Sequence, residues 1–167
     1  MGHPNVVANS ESNKIPCLIL ACGNTLREDD GVGPFLARWA EERWRDDVRV
    51  RVLCDHQWTP EMVEDVGSAL SVIFVDCATD CDPGLVRTMT VEPAADTSKL
   101  ATHHLDAAQL LALSKQLYGA MPRSSLLLTV GAGSLELREG FSEAVEKALP
   151  AAQAALEESV QRLLTDR

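Results

Sequence analysis

Three groups of polar residues in this 167-residue chain are placed to do chemistry. The first is the run Gly23-Asn24-Thr25-Leu26-Arg27-Glu28-Asp29-Asp30-Gly31-Val32-Gly33-Pro34, punctuated by glycine and rich in carboxylates. A phosphate loop would need a lysine and free backbone donors, whereas carboxylates repel phosphate and favour a cation. The second is Asp76, where a carboxylate leaves the apolar run 72–75. The third is Thr102-His103-His104, just ahead of an apolar helical pattern starting at Leu105, which could project an imidazole over the same rim. Oxygen and nitrogen donors of this kind, without thiolate, suit a borderline divalent ion such as nickel or zinc and leave positions open for water or a substrate group. Each member also has a plain structural alternative. Asp30 could cap the helix that begins near Pro34, with Asp29 the more structural of the pair, and Asp76 could accept backbone donors at its strand end. Either histidine could be an exposed residue at a helix start. Cys77 and Cys81 follow Asp76 closely, but a closed zinc site needs four ligands, and Cys17, Cys22 and Cys54 lack the paired short spacing of such sites. The five cysteines read as reduced, small core residues.

The elements that must position these groups follow from periodicity. Residues 16–22 form a continuous apolar strand, and residues 34–44 place Phe35, Leu36, Trp39 and Ala40 at helical spacing. A second strand over 48–54 leads to a short helix opened by Thr59-Pro60. Residues 70–77 make another buried strand, and 84–91 alternate like an exposed strand beyond the turn Asp82-Pro83-Gly84. A helix over 105–118, a last core strand over 124–130 and an apolar stripe from 141 to 164 complete the chain, with Pro150 expected to break or kink that final helix. Strands alternating with helices imply one α/β domain in three layers (αβα), around a mostly parallel sheet of about five strands. Ligands in such sheets sit beyond the carboxyl ends of the strands, where the first two polar groups fall.

Composition sets the outer bounds. The mass of 18.1 kDa suits one domain, taken as residues 16–167 behind a flexible tail of residues 1–15. Fifteen Lys and Arg against 25 Asp and Glu leave a net charge of −10, which disfavours nucleic acid and anionic membranes. The apolar runs fall far short of the roughly 20 residues that span a bilayer, and the opening residues lack a signal peptide's basic start and apolar core, so a cytoplasmic protein is expected.

Gly23-Asn24 with Leu26, Asp29-Asp30-Gly31 and Gly33-Pro34 resembles the signature of the nickel-iron hydrogenase maturation endopeptidases. The resemblance continues through Val75-Asp76, Pro83-Gly84 and Thr102-His103, and spans residues 16–148. It implies an enzyme that removes a short C-terminal extension from the large-subunit precursor of a nickel-iron hydrogenase once nickel has been inserted. It also implies nickel ligands at Asp30, Asp76 and His103, with His104 a competitor by one residue. The nickel would arrive with the precursor, so that isolated protein would be empty or hold a surrogate such as zinc or cadmium. Gly23, Asn24, Asp29, His56 and Gln57 are the residues expected to contact the substrate.

One segment departs from the family pattern. Asp55-His56-Gln57-Trp58-Thr59-Pro60-Glu61 replaces a glycine-rich turn and resembles the subgroup serving cytoplasmic bidirectional hydrogenases. His56 could be an extra contact, or His56 and Trp58 could only shape the groove. No Ser/His/Asp or Cys/His arrangement is evident in the sequence, which leaves two competitors to the endopeptidase. One is a chaperone or checkpoint protein that senses nickel without cutting, and the other is a small-molecule α/β enzyme sharing only the acidic loop. Residues 84–91 could offer an edge for strand addition by a substrate tail.

Overall fold

The computed structural model describes residues 12–96 and 105–166. Five strands form one sheet in the order β2-β1-β3-β5-β4: β1 (Cys17–Cys22), β2 (Val50–Asp55), β3 (Ser71–Ala78), β4 (Val86–Thr90) and β5 (Ser124–Gly131). All neighbours are parallel except β4, which pairs antiparallel with β5 at one edge. The expected mostly parallel, five-stranded α/β domain is therefore what the chain builds. Ile15 already bridges to Ala69, so the fold begins at least one residue before the expected boundary at 16.

Central strands are apolar on both faces because helices cover both. Cys17, Ile19 and Ala21 of β1 and Ile73 and Val75 of β3 pack with α1 (Val32–Arg43) and α4 (Glu143–Thr165). Alternate residues Leu18, Leu20, Val72 and Phe74 pack with the short α2 (Val63–Gly67) and with α3 (Ala107–Tyr118) on the other face. Each fully buried Leu, Ile, Val or Phe stabilises the layering by about 1.5–3 kcal/mol relative to exposure. Asp106 caps α3 through a reciprocal capping box with Gln109, which fixes where that helix starts beside the sheet.

Pro150 does not interrupt α4, contrary to the expectation from sequence. Both Pro150 and Glu146, the residue whose carbonyl loses its donor, lie on the exposed face, so water can take the missing bond. The buried stripe of Val145, Ala152, Leu156, Val160 and Leu163 carries the helix past the proline.

After β1 the chain runs to β2 on one side and later returns to β3 on the other. The carboxyl ends of β1 and β3 therefore flank a crevice where the winding direction reverses, the place where such sheets bind ligands.

Candidate active site at the ends of β1 and β3

Two glycines make the crevice possible. Gly23, at φ +149°, lies so close to the Asp30 carbonyl that an added Cβ would sit 2.0 Å from that oxygen. A Cβ on Gly33 would sit 2.0 Å from the Cys22 carbonyl. The end of β1 and the start of α1 thus interlock through their backbones, with a short 3-10 turn, Glu28–Gly31, between them. Gly23 thus serves the close approach of two backbones.

The adjacent acids of that turn face different ways. Asp29 is fully buried. Its Oδ2 accepts from the backbone N–H of Gly133 at 2.7 Å, that of Ser134 at 2.9 Å and the Ser142 hydroxyl at 2.7 Å. Its Oδ1 accepts from the Ser142 N–H at 2.7 Å. Burial pushes its pKa up, but these donors more than offset the penalty and hold the carboxyl below its ordinary range. Asp29 ties the loop after β5 and the cap of α4 to the turn, with both carboxylate oxygens engaged by these donors. Glu28 supports the same clamp: it adopts φ +45°, is buried, and pairs with Arg138.

Asp30 faces the crevice instead. Its Oδ2 accepts from the Asn24 N–H at 2.8 Å, and its Oδ1 accepts from the Cys77 thiol at 3.3 Å. Asn24 in turn accepts from the Leu26 N–H at 2.9 Å, a local turn that steadies the loop. Asp76 lies on β3 across from the end of β1. Its Oδ1 accepts from the Cys77 N–H at 2.8 Å. Burial, with the nearby Asp30 charge, pushes the Asp76 pKa up to about 6 even though the Cys77 N–H and the neighbouring Cys22 thiol favour the anion.

Asp30 and Asp76 open onto one cavity of about 550 Å³, whose wall also includes Asn24, Arg27, His56, Gln57 and Trp58. His56 and Gln57 are exposed on its rim. Trp58 is 5% exposed and stacks edge-on against Phe74, with ring centroids 5.2 Å apart. Leu105, Asp106 and Gln109 bring the start of α3 to the opposite wall. His103 and His104, which precede it in sequence, lie outside the described residues. Among those described, Asp30, Asp76 and Cys77 each offer one ligand atom within 4.8 Å of the others, a grouping suited to a metal ion.

The sequence alone presents Cys77 as a small core residue. Strand alternation sends Asp76 and Cys77 to opposite faces, and Cys77 does follow the parity of Ile73 and Val75, toward α1. Asp30 leads into α1 and therefore meets the thiol from that side. The only sequence signal was its adjacency to Asp76. Cys54 is exposed, and Cys77 and Cys81 are half-buried, so only Cys17 and Cys22 fit the expectation of buried thiols.

A doubly wound α/β domain with an acid pair at its switch point and a clamped glycine-acid turn is the class defined so far. The family model for the HycI hydrogenase maturation protease matches residues 57–159, most of the chain, and the chain belongs to that family. It is thereby a hydrolase of hydrogenase maturation. The matched span includes Asp76 but begins after Asp30.

Structural likeness reaches across both. The hydrogenase maturating endopeptidase HybD from Escherichia coli superposes with a TM-score of 0.67 at 24% identity, over 86% of this chain and 93% of that one. A hydrogenase 2 maturation peptidase from a Thaumarchaeota archaeon gives 0.64 at 27%, over 87% and 97%. A further endopeptidase from Escherichia coli gives 0.64 at 26%, over 86% and 93%. No curated protein sequence matches the chain significantly. No helix among the described residues is long and apolar enough to cross a membrane.

Proposed function

We propose that the protein is the endopeptidase that removes the C-terminal extension of one nickel-iron hydrogenase large-subunit precursor after nickel insertion, acting in the cytoplasm. The observation that carries this reading is the convergence of Asp30 and Asp76 on one open cavity at the switch point of a maturation-protease domain. The precursor's nickel is part of the substrate. Asp30, Asp76 and His103, or its neighbour His104, are its proposed contacts.

Two carboxylates close together resist sharing a site without a cation, so binding a nickel-loaded precursor relieves their repulsion. This favours loaded over empty precursor without a separate sensor. With no cation bound, burial and the Asp30 charge raise the Asp76 pKa to about 6, so at neutral pH it is ionised and ready to meet the ion, and one of the two carboxylates serves as general base toward the attacking water. Asp30, fixed by the Asn24 N–H and the Cys77 thiol, orients the opposite side. His56 and Gln57 on the rim are placed to meet the tail flanking the bond, and their segment favours the subgroup serving bidirectional hydrogenases.

Intact-mass measurement of the precursor, with and without nickel, after incubation with the protein tests the proposal. Loss of a C-terminal peptide from the nickel-loaded form alone is expected. Stable binding with no mass change would replace the peptidase by a checkpoint protein, and turnover of a free metabolite would replace both.

A further inference from the structure

We propose that Cys77 is a sulfur ligand of the ion that Asp30 and Asp76 face, which makes the site selective for thiophilic borderline divalent ions. The inference rests on the reading of this cavity as the place where a metal is engaged, and adds a donor and a selectivity to it.

The spacing is that of ligands around one ion. The Cys77 Sγ, one Asp30 oxygen and one Asp76 oxygen lie within 4.8 Å of one another. With metal–oxygen bonds of about 2.0–2.2 Å and metal–sulfur bonds of about 2.3 Å, an oxygen and a sulfur on a tetrahedral ion stand roughly 3.5–3.7 Å apart. The Asp30 Oδ1 to Cys77 Sγ distance of 3.3 Å is close to that spacing, so small movements of the side chains would complete it.

Packing accounts for only part of the thiol's surroundings, since Cys77 sits against the apolar cluster beneath α1 and α4. A small core residue at this position would be served as well by Ala or Val, whereas Cys77 is half-buried with its sulfur against one carboxylate and near a second. Burial and those negative neighbours keep it a protonated thiol while no cation is present. A divalent cation between the three groups reverses the local field and favours the thiolate. As the metal–sulfur bond forms, the S–H bond breaks and its proton passes to solvent, with no change of oxidation state. In the wall of the same cavity Trp58 is 5% exposed, and its buried indole N–H meets no acceptor.

Two carboxylates alone would take magnesium or calcium as readily as a softer ion, but a thiolate shifts the preference toward nickel, zinc, cobalt or cadmium. Cobalt(II) is the probe of choice because sulfur coordination gives it a near-ultraviolet charge-transfer band that oxygen ligands do not. Titrating the full chain with cobalt is expected to raise this band in the wild type, Cys22→Ser and Cys81→Ser proteins, with one proton released per ion and no displacement by excess magnesium. Cys77→Ser is expected to lose the band and bind cobalt at least tenfold more weakly while keeping the wild-type circular dichroism spectrum. Cobalt bound without the band, the same band in Cys77→Ser, or no cobalt bound by the wild type would each overturn the proposal. The outcome is separable from the peptidase reading, since a precursor left uncut by the wild type would defeat that reading while leaving the absorption result standing.

Discussion

Asp29 and Asp30 are neighbours of the same residue type, yet the regions they serve have little in common. The inner region is an anchor: Asp29 is fully buried, and four hydrogen bonds join it to residues 133, 134 and 142. The outer region is a rim, where Asp30 and Asp76 each have fewer donors, one of them a thiol, and keep a face toward the cavity. Identity did not assign these roles. The number and kind of donors did, and this is why the two regions respond oppositely to protonation and to substitution.

The largest expected difference is in activity. Asp30→Ala or Asp76→Ala should reduce precursor processing by about a thousandfold or more, the scale on which loss of a directly acting group is felt. Both variants should melt close to the wild type, as followed by circular dichroism. Asp29→Ala should reverse the pattern, because four donors lose their acceptor at a buried site. A loss of about 3 kcal/mol or more is expected, which lowers the melting temperature by roughly 6–12 °C in a domain of this size. Equal melting of all three variants would break the division between anchor and rim.

Gly33→Ala should fall between them. Its new Cβ would meet the Cys22 carbonyl at 2.0 Å, so β1 and α1 must separate. A destabilisation of about 1–3 kcal/mol is expected together with a clear loss of processing, since the interlock positions Asp30. Loss of stability with full activity would show that the interlock does not serve the rim.

Acidity gives a subtler contrast. Asp76 has its folded pKa raised to about 6, so the native state takes up a proton that the unfolded chain does not take up until near pH 4. Its contribution to stability therefore falls as pH rises from 4 to 6, and Asp76→Asn should remove that slope in denaturant titrations. Asp29, held below its ordinary range, contributes stability that is present at neutral pH and lost as pH falls below about 4. The smallest effects belong to the exposed outer rim: His56→Ala and Gln57→Ala should change stability by no more than about 0.5 kcal/mol and processing by less than tenfold.

Much of this arrangement is legible in the sequence because it is local. The runs 16–22, 70–77 and 124–130 announce central strands, and the glycine-acid loop and Asp76 fall after or within them, so the acid pair follows from the α/β order. What the sequence leaves unread depends on distant partners. The donors that bury Asp29 lie more than 100 residues away, which no motif reports. Gly23 and Gly33 punctuate the acidic loop in the sequence, and only the fold shows that each makes room for a backbone carbonyl. Pro150 is tolerated because of which face of α4 it occupies, a property of the folded helix. Cys77 was hidden by strand alternation, which is blind to a group arriving from the next turn.

The central claim is that the rim acids act on the metal-bearing precursor while the anchor only holds them in place. The most direct test is the intact mass of nickel-loaded precursor after incubation with wild type, Asp30→Asn and Asp76→Asn proteins, each shown to be folded. The account predicts release of the C-terminal peptide by the wild type alone, with precursor lacking nickel left whole. Release by either folded variant at the wild-type rate would contradict it.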